Sequence, residues 1–154
     1  METPMANTIE GIDHVGVVAS DMDRAIHFYT SLLGFSLLAR YKPKTTYHRE
    51  MAYLRFPGTS GAKLELYTLA NPPAGEPNYD YKLGLREIAL RVKDVAEEIA
   101  RLRSAGIEIL AEPVRSEAPG VPEDSPVKRR TRAAIKAPDG VIVGLYTWDE
   151  KKST

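Results

Sequence analysis

The sequence predicts an α+β fold made of two tandem βαβββ modules, and three observations point there. A short apolar strand followed by an amphipathic helix occurs twice; each helix opens on an aspartate and closes on a glycine; and three further strand candidates follow each helix. A chain of 154 residues is long enough to bury a core without covalent staples.

The first strand is GIDHVGVVAS (11–20) and the first helix DMDRAIHFYTSLL (21–33). Asp21 is placed to cap the helix, and Gly34 stands where a left-handed C-cap belongs. Ala25, Ile26, Tyr29, Leu32 and Leu33 recur at three-and-four spacing, which predicts a buried stripe. Strands are expected near 35–42, 49–56 and 62–69, the last two joined by the turn PGTSG (57–61). In the second half REIALRVK (86–93) reads as a strand and DVAEEIARLRSA (94–105) as a helix, with Asp94 as cap, Glu97 three residues on and Gly106 at its close. Further strands are expected near 107–114, 131–137 and 141–148.

The halves align. A shift of 73 residues lays His14-Val15-Gly16-Val17 on Glu87-Ile88-Ala89-Leu90 and Asp21 on Asp94, whereas Gly34 and Gly106 are 72 apart, so one residue is missing from the second helix. The modules are expected at 9–70 and 85–149, as one structural domain, with the Pro-rich stretch 71–84 (NPPAGEPNYDYKLG) as linker.

Composition removes several function classes. Twenty-one basic and 21 acidic residues cancel, which gives no electrostatic footprint for nucleic acid or an anionic membrane. The absence of cysteine excludes thiol nucleophiles, disulfides and Cys-based zinc sites. No apolar run approaches the roughly 18 residues of a membrane helix, and METPMANTIEG lacks the basic and apolar regions of a signal peptide, so a cytoplasmic location is expected. Neither glycine-rich phosphate loops nor a GxSxG elbow is present.

This organisation, together with IDHVGVVASDMDRAIHFYTSLLGF and APDGVIVGLYTWD, resembles the vicinal oxygen chelate superfamily, which includes glyoxalase I, methylmalonyl-CoA epimerase, extradiol dioxygenases and bleomycin-resistance proteins. The resemblance runs from about residue 9 to 149. It implies that paired modules form a curved mixed-sheet cleft, in which up to four side chains on the first and fourth strands of each module hold a divalent metal. Carried across, those positions fall on His14, Glu65, Glu87 and Gly144. The first two match the superfamily pattern. Glu87 stands where members commonly have His, and Gly144 replaces the usual Glu.

Strand parity supplies a check independent of the resemblance. Leu64 and Leu66 share one side, leaving Lys63, Glu65 and Tyr67 opposite; Ile88, Leu90 and Val92 leave Glu87, Ala89 and Arg91; Val141, Val143 and Leu145 leave Ile142, Gly144, Tyr146 and Trp148. The polar sides are expected to face the cleft. His14, Glu65 and Glu87 then form a three-ligand set for Mn, Fe, Ni, Zn or Mg, with Glu87 or Glu65 also moving protons. Alternatively, Glu65 and Glu87 pair with Lys63, Arg86 or Arg91 in a metal-free polar cleft. Tyr67, Arg91, Tyr146, Trp148 and His48 are candidates for substrate contact, whereas His27 reads as a solvent-facing or packing residue. The Pro-rich segment 114–132, ending in Lys128-Arg129-Arg130, reads as an exposed loop; a lid whose basic cluster catches an anion is the alternative.

The resemblance implies a metal-dependent isomerase, epimerase or lyase acting on a small oxygenated carbonyl compound, because His14, Glu65 and Glu87 coincide with three of the four superfamily metal positions. A metal-free binding protein of the bleomycin-resistance type is the rival, favoured by Gly144 beside Tyr146 and Trp148. An extradiol-type dioxygenase is disfavoured, since Glu87 and Gly144 replace the metal-binding residues its module would need. Homodimers are common in the superfamily and one is expected here.

Overall fold

Buried and half-buried side chains alternate along Lys63–Leu69, and that alternation sets which face of its sheet is covered. The computed structural model describes residues 12–58, 61–72, 87–118, 120–126 and 128–149. The chain divides into two compact units, Met1–Pro73 and Ala74–Thr154. Apart from its first two residues, the expected linker 71–84 lies outside the described residues.

In the first unit β1 (His14–Val18) leads to α1 (Met22–His27), and β2 (Ser36–Tyr41), β3 (His48–Arg55) and β4 (Lys63–Leu69) follow. The sheet order is β1-β4-β3-β2; β1 runs parallel to β4, and the other pairs are antiparallel. The second unit repeats the plan with β5 (Ile88–Arg91), α2 (Val95–Ser104), β6 (Ile109–Glu117), β7 (Arg129–Lys136) and β8 (Ile142–Trp148), in the order β5-β8-β7-β6 with β5 parallel to β8. The fold is therefore α+β, with two four-stranded mixed sheets, as the sequence predicts.

Both helix starts follow from their aspartates. Asp21 accepts from the Arg24 amide at 3.0 Å and Asp94 from the Glu97 amide at 2.9 Å, each satisfying an otherwise orphaned donor. Both closing glycines adopt φ +83°, a conformation that other residues enter at a cost. The first helix departs from expectation in its second half, where Phe28–Leu32 forms a π-helical turn. There the Leu33 amide reaches back to the Phe28 carbonyl, and the Thr30 hydroxyl donates to the Ile26 carbonyl at 2.6 Å. The wider turn buries the consecutive Phe28 and Tyr29 together with Met22 and Ala25, while Ile26, Leu32 and Leu33 of the expected stripe are only half-buried.

The expected loop 114–132 is also shorter than predicted. β6 continues through Pro113 to Glu117 and β7 begins at Arg129, so the hairpin strands take both ends of the segment. Proline is tolerated there because β6 is the sheet edge and its register slips between Ala111 and Val114. Most of the basic cluster is engaged locally: Lys128 donates to the Ala118 and Val121 carbonyls, and Arg129 pairs with Glu117 and Glu123.

Each unit has its own core. Tyr29, Leu54 and Leu66 are fully buried in the first, and Ile99, Leu102, Ile135, Val143 and Leu145 in the second. Leu66→Ala and Leu145→Ala should each lower stability by about 2–5 kcal/mol, the cost of lost apolar burial plus a residual cavity. Chemical denaturation checks this, and a loss under about 1 kcal/mol would show that the site collapses around the gap.

Candidate functional site

In the first unit the parallel pairing of β1 with β4 sets His14 beside Lys63 and Gly16 beside Glu65. The His14 ring and the Glu65 carboxylate then meet diagonally, with Nε2 and Oε2 3.3 Å apart. Gly16 puts no side chain opposite Glu65; an added Cβ would lie 3.6 Å from Oε1 and 3.4 Å from the Tyr67 ring. His14 Nδ1 lies 2.8 Å from Asp13 Oδ2, and Asp13 also accepts from Lys63 Nζ at 3.0 Å. Because a carboxylate only accepts, Nδ1 is the donor, and in the neutral ring Nε2 keeps its lone pair on the Glu65 side. The bond from His14, together with the Lys63 ammonium, holds the Asp13 carboxyl below its ordinary pKa.

Glu65 is fixed from its other side by Tyr53, whose hydroxyl donates to Oε2 at 2.5 Å. That bond, with help from burial, pushes the Tyr53 phenol up to about 12. Its ring also meets the His14 ring edge to face, with centroids 6.0 Å apart. Tyr67 lies on the same strand as Glu65, and its ring packs edge to face on His48 at 5.3 Å. The His48 ring is held in turn by the Thr45 hydroxyl at 3.0 Å. Lys63 pairs with Asp13 and not with Glu65, and Arg86 lies outside the described residues.

The second unit places Glu87, Arg91, Tyr146 and Trp148 around one pocket of about 360 Å³, which Ala89 and Arg130 also line. The Tyr146 hydroxyl donates to Glu87 Oε1 at 3.0 Å, and burial followed by this bond raises the phenol above its ordinary pKa. Gly144 makes the contact possible. A Cβ there would sit 2.7 Å from the Tyr146 ring and 3.0 Å from Glu87 Oε2, so ring and carboxylate occupy the space a side chain would fill. Tyr146 stacks on Trp148 with centroids 5.8 Å apart and planes inclined by 17°. Arg130 lies over Trp148, 5.7 Å from the ring centroid, and its buried Nε finds no acceptor among the described residues. A buried donor without a partner costs about 1–3 kcal/mol.

The structure therefore brings His14 and Glu65 together, with His48 and Tyr67 nearby in the same unit, and separately groups Glu87, Arg91, Tyr146 and Trp148. Sequence reading did not find Tyr53 or Asp13, and it treated Arg130 only as part of a loop cluster. Parity could have found Tyr53: Ala52 and Leu54 are fully buried, which leaves Tyr53 on the face of Glu65. His27 is exposed on α1, as expected.

The profile of the Glyoxalase/Bleomycin resistance protein/Dioxygenase superfamily matches residues 11–143. The chain belongs to that superfamily. Among its relatives, this superfamily member is 31% identical over 136 residues to a probable lactoylglutathione lyase of Vibrio cholerae, covering 86% of each chain. It is 32% identical over 137 residues to a lactoylglutathione lyase of Arabidopsis thaliana, covering 86% of this chain and 42% of that one. Among solved structures, a glyoxalase family protein from Enterococcus faecalis superposes with TM-score 0.68 at 25% identity, covering 90% of this chain and 98% of that one. The trypanothione-dependent glyoxalase I of Leishmania major gives TM-score 0.61 at 25% identity, covering 89% and 86%. No described helix is long and apolar enough to cross a membrane.

The donor chemistry of the first unit fits a divalent ion. An imidazole nitrogen and a carboxylate oxygen bound to one ion at about 2.1 Å stand roughly 3 Å apart, close to the separation of His14 Nε2 and Glu65 Oε2. Asp13 supplies the outer partner that a ligating histidine commonly has on its other nitrogen. No group of three or more His, Asp or Glu side chains placed to hold a metal occurs among the described residues.

Gly144→Ala should cost about 1–3 kcal/mol by forcing Tyr146 off Glu87. In a Tyr146→Ala background the same substitution should cost markedly less, a difference that a double-mutant denaturation cycle measures. Equal costs in both backgrounds would mean that Tyr146 is not what fills the space over Gly144.

Proposed function

We propose that this protein is a glyoxalase-like isomerase, epimerase or lyase that acts on a small oxygenated carbonyl compound by proton transfer assisted by a divalent metal. The observation that carries the reading is the convergence of His14 Nε2 and Glu65 Oε2, each held from behind by a second side chain. The names of the relatives, lactoylglutathione lyases, favour the same class.

His14 and Glu65 would hold the ion, with Glu87 as a further ligand or as the proton carrier. A bound Mn, Fe, Ni, Zn or Mg ion supplies Lewis-acid polarisation of adjacent substrate oxygens, which eases loss of a proton from the neighbouring carbon. The chain's own residues do the rest. Asp13 keeps the His14 lone pair on Nε2, and Tyr53 fixes the Glu65 carboxylate by its short hydrogen bond. Tyr146 orients Glu87 through Oε1, so this carboxylate can take a proton and return it from a fixed position. Tyr67, Arg91, Tyr146, Trp148 and His48 are the side chains we assign to substrate contact. By analogy with the superfamily we also expect a homodimer.

Metal content and turnover test the reading together. Purified without a chelator and reloaded with each ion, the protein should bind about one metal per chain and turn over a member of a panel of 2-oxo and 2-hydroxy carbonyl compounds, and His14→Ala or Glu65→Ala should lose both properties. Retention of metal and turnover by both variants would overturn the assignment. The second reading, a metal-free binding protein of the bleomycin-resistance type, draws on Gly144 and the aromatic pocket beside it. It predicts tight ligand binding without metal or turnover.

A further inference from the structure

The sheet face that carries Glu87 changes character along its length. Strand register sets Ala89 and Ala134 on either side of Gly144, so the row beneath Glu87 is built of small residues. The next row sets Arg91 and Arg132 on either side of Tyr146, and the last pairs Arg130 with Trp148. Trp148 stands four residues beyond Gly144, about 13 Å along a strand. The 360 Å³ pocket thus has a carboxylate toward one end, a guanidinium toward the other and two stacked aromatic rings between them.

The guanidinium end is set up for an anion. Arg129 and Arg115 are both neutralised by carboxylates, Arg129 by Glu117 and Glu123 and Arg115 by Asp149. No carboxylate among the described residues pairs with Arg130, and its buried Nε lacks an acceptor. Its place over Trp148 fixes the plane of the guanidinium, so an incoming carboxylate would meet the oriented N–H groups of its terminal nitrogens. Arg91, Arg130 and Arg132 share this face with the single carboxylate of Glu87, an excess of positive charge that suits an anionic ligand.

We infer that this face binds a small organic acid, its carboxylate on Arg130, its flat unsaturated or aromatic body against Tyr146 and Trp148, and its far end toward Glu87. The placement of that far end as the reacting end rests on the function proposed above; binding of the acid does not.

Trp148 is the sole tryptophan of the chain, so its fluorescence reports on this pocket alone. The experiment titrates the full chain with benzoate, benzamide and acetate in the presence of a chelator, which separates it from the metal reading. Benzoate should produce a saturable change, with benzamide and acetate at least about tenfold weaker because each lacks half of the recognised group. Arg130→Gln should weaken benzoate by about tenfold or more, whereas Arg129→Gln should leave it within about twofold. Equal binding of benzoate and benzamide, or no saturable change with benzoate, would overturn the inference on the unaltered protein. Undiminished benzoate affinity in a folded Arg130→Gln chain would do the same.

Discussion

The parallel pairing of the first strand of each unit with its last is the constraint on which the site depends. In a βαβββ unit these strands are far apart in sequence, and only their side-by-side placement lets residue 14 reach residue 65, or residue 87 reach residue 146. The capped helices and their closing glycines serve this pairing, because they return the chain to the far edge of the sheet and leave the space beside β1 and β5 for β4 and β8. The cores beneath, centred on Leu54 and Leu66 in one unit and Val143 and Leu145 in the other, hold the paired strands in register.

The two units use one geometry differently. In the first, Glu65 occupies the last-strand position and faces a histidine; in the second, that position is Gly144 and the carboxylate comes instead from Glu87 on the first-strand side. In both a tyrosine hydroxyl holds the carboxylate, Tyr53 from β3 and Tyr146 from β8. The loss of a side chain at 144 is therefore tied to a particular contact, since the Tyr146 ring lies where that side chain would have been.

Much of this was legible in the sequence because it follows from local rules. Aspartate caps, closing glycines and alternating strands gave the order of elements, and parity correctly put Leu64 and Leu66 in the core with Glu65 on the opposite face. What escaped depends on neighbours distant in the chain. Tyr53 matters only because β3 lies beside β4, and Arg130 only because β7 lies beside β8. The extent of β6 was misjudged because the Pro-rich segment 114–132 was read as a loop from its first residue, although the edge strand runs on to Glu117. The grouping of His14 with Glu65 was legible only through the superfamily resemblance, and their roles stay with the function we propose.

The π-helical turn of the first unit explains the mismatch between the two halves of the sequence. From capping aspartate to closing glycine the first helix has one residue more than the second, and an extra residue in a regular helix rotates everything after it by about 100°. A turn with hydrogen bonds five residues apart absorbs that residue as a local bulge. The glycine that follows keeps the same φ in both units, and the next strand begins within three residues of it in each. The first helix thus carries an insertion without passing it on to the sheet, and the duplicated architecture tolerates a change of length in one copy.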